Sequence, residues 1–184
     1  MSLETDGTRI SVPPSRRIWL LVIVLITVVA DQVTKQLVLD RLTPGEYVPL
    51  VGEHVGLQLL FNSGGAFGLP APSGLFLFVA ALVTVLVWRV LRQGPTITAF
   101  IGFALLLGGA YGNIIDRLTR GVDGFGSGAV VDFVAWGSFP RFNVADAAIT
   151  VGVALIFLSL LSNTPPSHDE RSPTAADPDV DGAA

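Results

Sequence analysis

The residues of this chain that could do chemistry stand beside its longest apolar stretches. Asp31, Gln32, Thr34 and Lys35 follow the unbroken run 18–30, and Asn62 leads into the run 74–90. Asn113, Asp116 and Arg117 close the run 96–115. Asp132 lies in the connection before the run 144–161, which itself opens on Asn143 and Asp146. The residue inventory narrows the chemistry. The sequence has no cysteine, which removes disulfides, thiolate metal sites and thiol nucleophiles. Its two histidines are His54, isolated in a strand-and-loop segment, and His168, in a polar tail. That argues against a Ser–His–Asp triad and a histidine-rich zinc site. Lys35 is the only lysine and has no evident serine partner, so a Ser–Lys dyad is disfavoured too. Carboxylates remain.

Two facing carboxylates can share one proton, because like charges about 3 Å apart do not both ionise cheaply. The ionised member then draws a proton from water, and the protonated member polarises a carbonyl and later protonates a leaving amine. Asp132 and Asp146 are candidates for such a pair, with a loop able to fold one over the helix that carries the other; spacing alone leaves this open. Asp31, Asp116 and Asp146 each have apolar residues on both sides within a turn or two, unlike charges that merely end a helix. Lys35, Asp40 and Arg41 read as such boundary charges. Asp116 and Arg117 are either a structural ion pair or part of a site.

The elements that must position these groups are membrane spans. Of 184 residues, 51% are hydrophobic and only 14% charged, with a mean hydropathy of +0.63. A soluble domain averages about 25% charged residues, so polar surface is too scarce here for water. The four apolar runs each approach the roughly 20 residues needed to cross a bilayer core. Three further spans and the lack of a small-residue cleavage site argue against the first being a signal peptide. The expected class is an all-α membrane protein of four transmembrane helices, with both termini cytoplasmic. Arg16 and Arg17 before the first span and Arg89 and Arg92 in the short second turn support that orientation. The catalytic candidates then share one depth at the outer leaflet.

Residues 1–17 are expected to form a cytoplasmic tail and 18–162 the membrane domain, with outer loops at about 40–73 and 118–142. Residues 47–61 alternate in part and carry glycines, which suggests short β-strands at the membrane surface, and 129–133 is also strand-like. Residues 163–184 hold five acidic side chains against Arg171 and four prolines, and account for the net charge of −4. They read as a disordered acidic tail. The neutral remainder, with no basic patch, argues against nucleic-acid binding.

Five short blocks, in order, resemble the lipoprotein signal peptidase (signal peptidase II) family. They are DQVTK at 31–35, FNSGGAF at 61–67, GGAYGNIIDR at 108–117, VVDF at 130–133 and FNVAD at 142–146. The resemblance covers about residues 18–162. It implies four transmembrane helices with a small β-rich cradle and a loop on the outer face. It also implies an aspartic endopeptidase of the bacterial cytoplasmic membrane, acting on diacylglyceryl-modified prolipoproteins. Cleavage would fall on the amino side of the lipidated cysteine. By that resemblance Asp132 and Asp146 are the catalytic pair. Asp31, Lys35, Asn62, Gly64, Asn113, Asp116, Arg117 and Asn143 are the substrate-binding or supporting residues. No metal or organic cofactor is implied, and the partners are substrate and membrane lipid, with no oligomer required.

Two departures stand out. Gly65 replaces a common alanine in the second block, and the stretch 119–129 is longer and richer in glycine than the family's usual connection, whereas 135–141 is shorter. Asp123 falls in that stretch, but only Asp132 has the flanking Val130, Val131 and Phe133. A small transporter would need polar residues through the full depth of its spans, and the inner halves hold hardly any. A non-catalytic membrane scaffold would tolerate loss of either aspartate.

Overall fold

The computed structural model describes residues 14–64, 73–121 and 126–162. Four helices dominate it: α1 (Pro14–Arg41), α2 (Ser73–Leu91), α3 (Ile97–Thr119) and α4 (Val144–Ser162). All four are long and apolar enough to cross a membrane. Helix α1 starts before residue 18, with Pro14 in the first turn, where a missing N–H is harmless. It then continues past its apolar run through Asp31 and Lys35, so those two polar residues are helical and one turn apart. Thr96 caps α3, its Oγ1 accepting from the Ala99 N–H at 3.2 Å.

Helix α3 is the central element. In its most apolar stretch 44% of residues are buried inside the protein, against 17% in each of the other helices. Glycines on α3 let its neighbours close in. A Cβ on Gly109 would collide with the Ala145 carbonyl oxygen of α4, and one on Gly108 would lie 2.6 Å from the Thr27 Cβ of α1. Gly102 on α3 and Gly152 on α4 face each other in the same way. Without a hydrophobic driving force between helices in lipid, close backbone approach of this kind holds spans together through van der Waals contact. Outward-facing residues such as Leu21, Leu25, Val85 and Leu160 are exposed, as lipid-facing positions are.

The two long connections build one antiparallel sheet in the order β1-β2-β3, from β1 (Tyr47–Val51), β2 (Val55–Asn62) and β3 (Val130–Trp136). The first two strands fill the segment read as β from the sequence, with β2 running one residue beyond it to Asn62. The third runs three residues beyond 133, because Val134 also bridges to Phe142 and holds the chain extended. Gly52 turns the β1–β2 hairpin at φ 56°, a conformation that suits glycine, and His54 is exposed in that turn. Register pairs Leu60 with Asp132 and Asn62 with Val130. Leu59, Val131 and Phe133 pack on Val38 of α1, which seats the sheet on the end of the bundle where α1 stops. Residues 1–13, Gly65, Asp123 and the tail 163–184, for which the sequence raised expectations above, lie outside the described residues.

Candidate active site

Every residue proposed for the site from the sequence converges where β3 meets the ends of α1, α3 and α4. Asn143 is the pivot. It precedes α4 as its N-cap, with Asp146 at the third helical position, and the two form a reciprocal capping box. The Asp146 N–H donates to Asn143 Oδ1 at 2.9 Å, and the Asn143 N–H donates to Asp146 Oδ2 at 3.1 Å. Because the Asp146 N–H can only donate, it fixes which way the Asn143 amide points. Asn143 Nδ2 therefore faces Asp132, donating to its Oδ1 at 2.7 Å. One residue thus touches both candidate catalytic carboxylates.

The other two asparagines are oriented by the same logic. The Gly64 N–H donates to Asn62 Oδ1 at 3.0 Å, which leaves Asn62 Nδ2 to donate to Asp132 Oδ2 at 3.0 Å. Lys35 Nζ donates to Asn113 Oδ1 at 2.9 Å, so Asn113 Nδ2 donates to Asp146 Oδ1 at 2.8 Å. Each oxygen of each candidate carboxylate therefore receives one N–H. Asp132 is 3% exposed, and burial pushes its carboxyl up to about 6; the nearby Asp146 charge pushes the same way, and the donors Asn62 and Asn143 oppose it.

Lys35 is not a boundary charge, as its place at the end of an apolar run suggested. Its side chain is fully buried, 2.8 Å from Asp31 Oδ2 and 2.8 Å from Asp116 Oδ2. Helix α1 runs about three turns past its apolar run, to Arg41, and the partner that marks Lys35 as more than a helix end, Asp116, comes from α3, which no local signal gives. The Asp116–Arg117 ion pair left open above does not form: Asp116 pairs with Lys35 and with Arg120 at 2.9 Å. Arg117 instead donates to the Gly64 carbonyl at 2.7 Å and lies over the Phe76 ring, 3.7 Å from its centroid, tying the loop after β2 to α3 and α2.

Two participants went unassigned in the sequence. Gln32 Nε2 bridges Asp31 Oδ2, the Gly112 carbonyl and Asp116 Oδ1 at 3.0–3.2 Å. Arg120 follows Asp116 by one helical turn, a spacing that would have exposed it had α3 been extended past residue 115. Among the described residues every buried side-chain nitrogen and oxygen has a hydrogen-bond partner, and no three of His, Cys, Asp and Glu are placed to hold a metal ion.

A family model described as signal peptidase (SPase) II matches residues 23–162. The chain belongs to the signal peptidase II family. It is 38% identical to a lipoprotein signal peptidase of Rhodococcus jostii over 164 residues, covering 84% of this chain and 81% of that protein. A lipoprotein signal peptidase of Symbiobacterium thermophilum is 39% identical over 150 residues, covering 77% and 93% of the two chains. A bacterial membrane enzyme solved in meso at 2.3 Å superposes with a TM-score of 0.72 at 27% identity, over 83% of this chain and 93% of that one. As a signal peptidase II it is a bacterial multi-pass membrane peptidase that removes signal peptides from prolipoproteins.

Proposed function

We propose that this signal peptidase II is an aspartic endopeptidase in which Asp132 and Asp146 form the catalytic pair. On this reading the sheet and the dyad lie at the outer face of the cytoplasmic membrane and both termini are cytoplasmic. A precursor anchored by a diacylglyceryl cysteine keeps its acyl chains in the bilayer, which brings the bond on the amino side of that cysteine to the depth of the dyad. The observation that carries the reading is the shared grip of Asn143 on both carboxylates, with Asp132 buried and Asp146 half-buried beside it.

The chemistry follows from one proton held between two acids. The ionised carboxylate takes a proton from water as the oxygen attacks the scissile carbonyl carbon. The protonated partner gives its proton to the carbonyl oxygen, forming a neutral tetrahedral diol. Collapse of the diol breaks the C–N bond, one carboxyl protonating the departing amine and the other recovering a hydroxyl proton. Two products leave and the pair again holds one proton. Asn62, half-buried beside Asp132, can also pair a substrate amide that is costly to leave unsatisfied as the substrate displaces water.

The test is turnover of a diacylglyceryl-modified lipobox peptide by purified protein. Asp132→Asn and Asp146→Asn should each lower kcat about 10³-fold or more while the protein remains folded. The same peptide without the diacylglyceryl group should be a poor substrate. Near-parental turnover in both variants would overturn the aspartic reading, and equal cleavage of both peptides would overturn the lipid-anchored positioning.

A further inference from the structure

Two main-chain contacts beneath the dyad share a pattern. The N–H of Ala145, the residue before Asp146, donates to Asp31 Oδ1 at 2.9 Å. The N–H of Val131, the residue before Asp132, donates to Asp116 Oδ2 at 3.1 Å. Each member of the proposed pair is therefore preceded by a residue whose amide is held by a buried carboxylate from another element. The two carboxylates are in turn joined by Lys35, at 2.8 Å from each. The third donor of that ammonium goes to Asn113, which donates to Asp146.

Building on the dyad reading, we propose that Asp31, Lys35 and Asp116 form a positioning clamp that sets the relative placement of Asp132 and Asp146 through the main chain. An ammonium has three donors, and all three are engaged here, so the clamp has little freedom to vary. Asp31 and Lys35 are one turn apart on α1 and face α3 together. The Ala145 N–H is one of the orphan donors of a helix start, which a local side chain could have satisfied. Its use of Asp31 instead ties both the rotation and the depth of α4 to α1. Val131 ties β3 to α3 in the same way, so the two acids that must share a proton hang from a single ion cluster.

Asp31, Lys35 and Asp116 are fully buried and cannot touch a substrate. The clamp must therefore act on turnover and leave substrate binding almost unchanged, since misplacing a reacting group by about 1 Å costs on the order of 10²-fold in rate. Gly112 offers a way to disturb it without deleting any of its groups. A Cβ there would lie 2.6 Å from Asp31 Oδ2 and press the carboxylate off its partners.

The experiment compares the parent with Asp31→Ala, Asp31→Asn and Gly112→Ala, all full-length, with turnover expressed per folded molecule on the diacylglyceryl-modified lipobox peptide. Asp31→Ala should lower kcat about 100-fold with KM within about threefold. Asp31→Asn keeps an oxygen that can accept from Ala145 but turns its amide NH2 toward the Lys35 ammonium, so its kcat should fall below the parent's. Gly112→Ala should also lower kcat with KM little changed. Parental kcat in Gly112→Ala, a rise in KM alone, or parental kcat in Asp31→Asn would each overturn the clamp. If Asp31→Ala does not fold, the other two variants decide by the same criteria. Asp132→Asn and Asp146→Asn are run alongside. Should they keep their turnover, the dyad reading fails; should they lose it while Gly112→Ala keeps parental kcat, the clamp alone fails.

Discussion

The two ends of the helix bundle are held together by different forces. At the end bearing the sheet, α1, α3 and α4 meet through Asp31, Lys35, Asn113, Asp116 and Asp146, an almost wholly ionic and amide interface. Toward the other end, α3 and α4 meet at Gly102 and Gly152, and Val87, Leu91, Phe100 and Leu107 pack between α2 and α3. Polar contact there is reduced to bonds such as Thr96 to Ser159 and Arg16 to the Pro95 carbonyl. Close-packed glycine surfaces bring helices together but tolerate small slides along the axis. A saturated ion cluster does not, because any slide leaves a buried charge unpaired. The proposed dyad sits at the end that cannot slide.

The largest test of that contrast removes the central cation. Lys35→Met keeps the length of the side chain but leaves Asp31 and Asp116 without their shared partner. Breaking a buried pair in this way costs about 3–5 kcal/mol, and thermal unfolding in detergent should report a loss of that order. A loss under about 1 kcal/mol would mean that water enters the cluster and that the two ends differ less than their contacts suggest.

A second test reads protonation at the sheet-bearing end. The Asp132 carboxyl is pushed up to about 6 by burial and by Asp146, so the free enzyme holds its proton below that pH and releases it above. The reaction proposed here needs one proton on the pair, and the pair titrates as a unit. Raising the pH through about 6 should therefore lower kcat/KM, approaching tenfold per pH unit on the alkaline limb. Substitutions at the glycine-packed end should leave the position of that limb unchanged. A flat profile from pH 5 to 8 would show that the dyad proton is held in some other way.

This contrast also explains what could be read from the sequence. The four spans and the hairpin were legible because apolar runs and strand alternation are local signals. The proposed dyad rests on its motifs, and the FNVAD block has a local cause as well: Asn143 and Asp146 are the two ends of a capping box. Lys35 reads locally as a boundary charge, although the resemblance sets it among the supporting residues, because its meaning depends on Asp116, far away on another helix. Arg117 looked like a partner for its neighbour Asp116, yet consecutive residues on a helix point in different directions. Phe76 under Arg117 left no sequence signal at all, since one aromatic residue at the start of a lipid-facing helix looks like any other.

At the glycine-packed end the expected effects are smaller and confined to stability. Gly152→Ala would place a Cβ 2.6 Å from the Gly102 carbonyl oxygen and 2.9 Å from the Leu106 nitrogen, and both neighbours are backbone. The helices must part, at a cost of about 1–3 kcal/mol. Turnover per folded molecule should stay at the parental value, because the ion cluster holds the far end of α4 in place. A fall in kcat comparable to that of Gly112→Ala would show that the whole α3–α4 interface, and not the sheet-bearing end alone, sets the dyad.

The smallest effect is expected at Ser159. Its hydroxyl lies 2.6 Å from Thr96 Oγ1, linking the start of α3 to the last turns of α4. Thr96 keeps its cap on Ala99 when that partner is lost, and the α3 N-terminus stays satisfied. Hydrogen bonds between membrane helices average about 0.6 kcal/mol in double-mutant cycles, so Ser159→Ala should lower stability by roughly that amount and leave kcat and KM unchanged. A Thr96→Ala, Ser159→Ala cycle isolates the coupling from the capping contribution. A coupling of 2 kcal/mol or more would mean that this end, too, is pinned by a polar contact, and that the bundle's rigidity is not concentrated beneath the sheet.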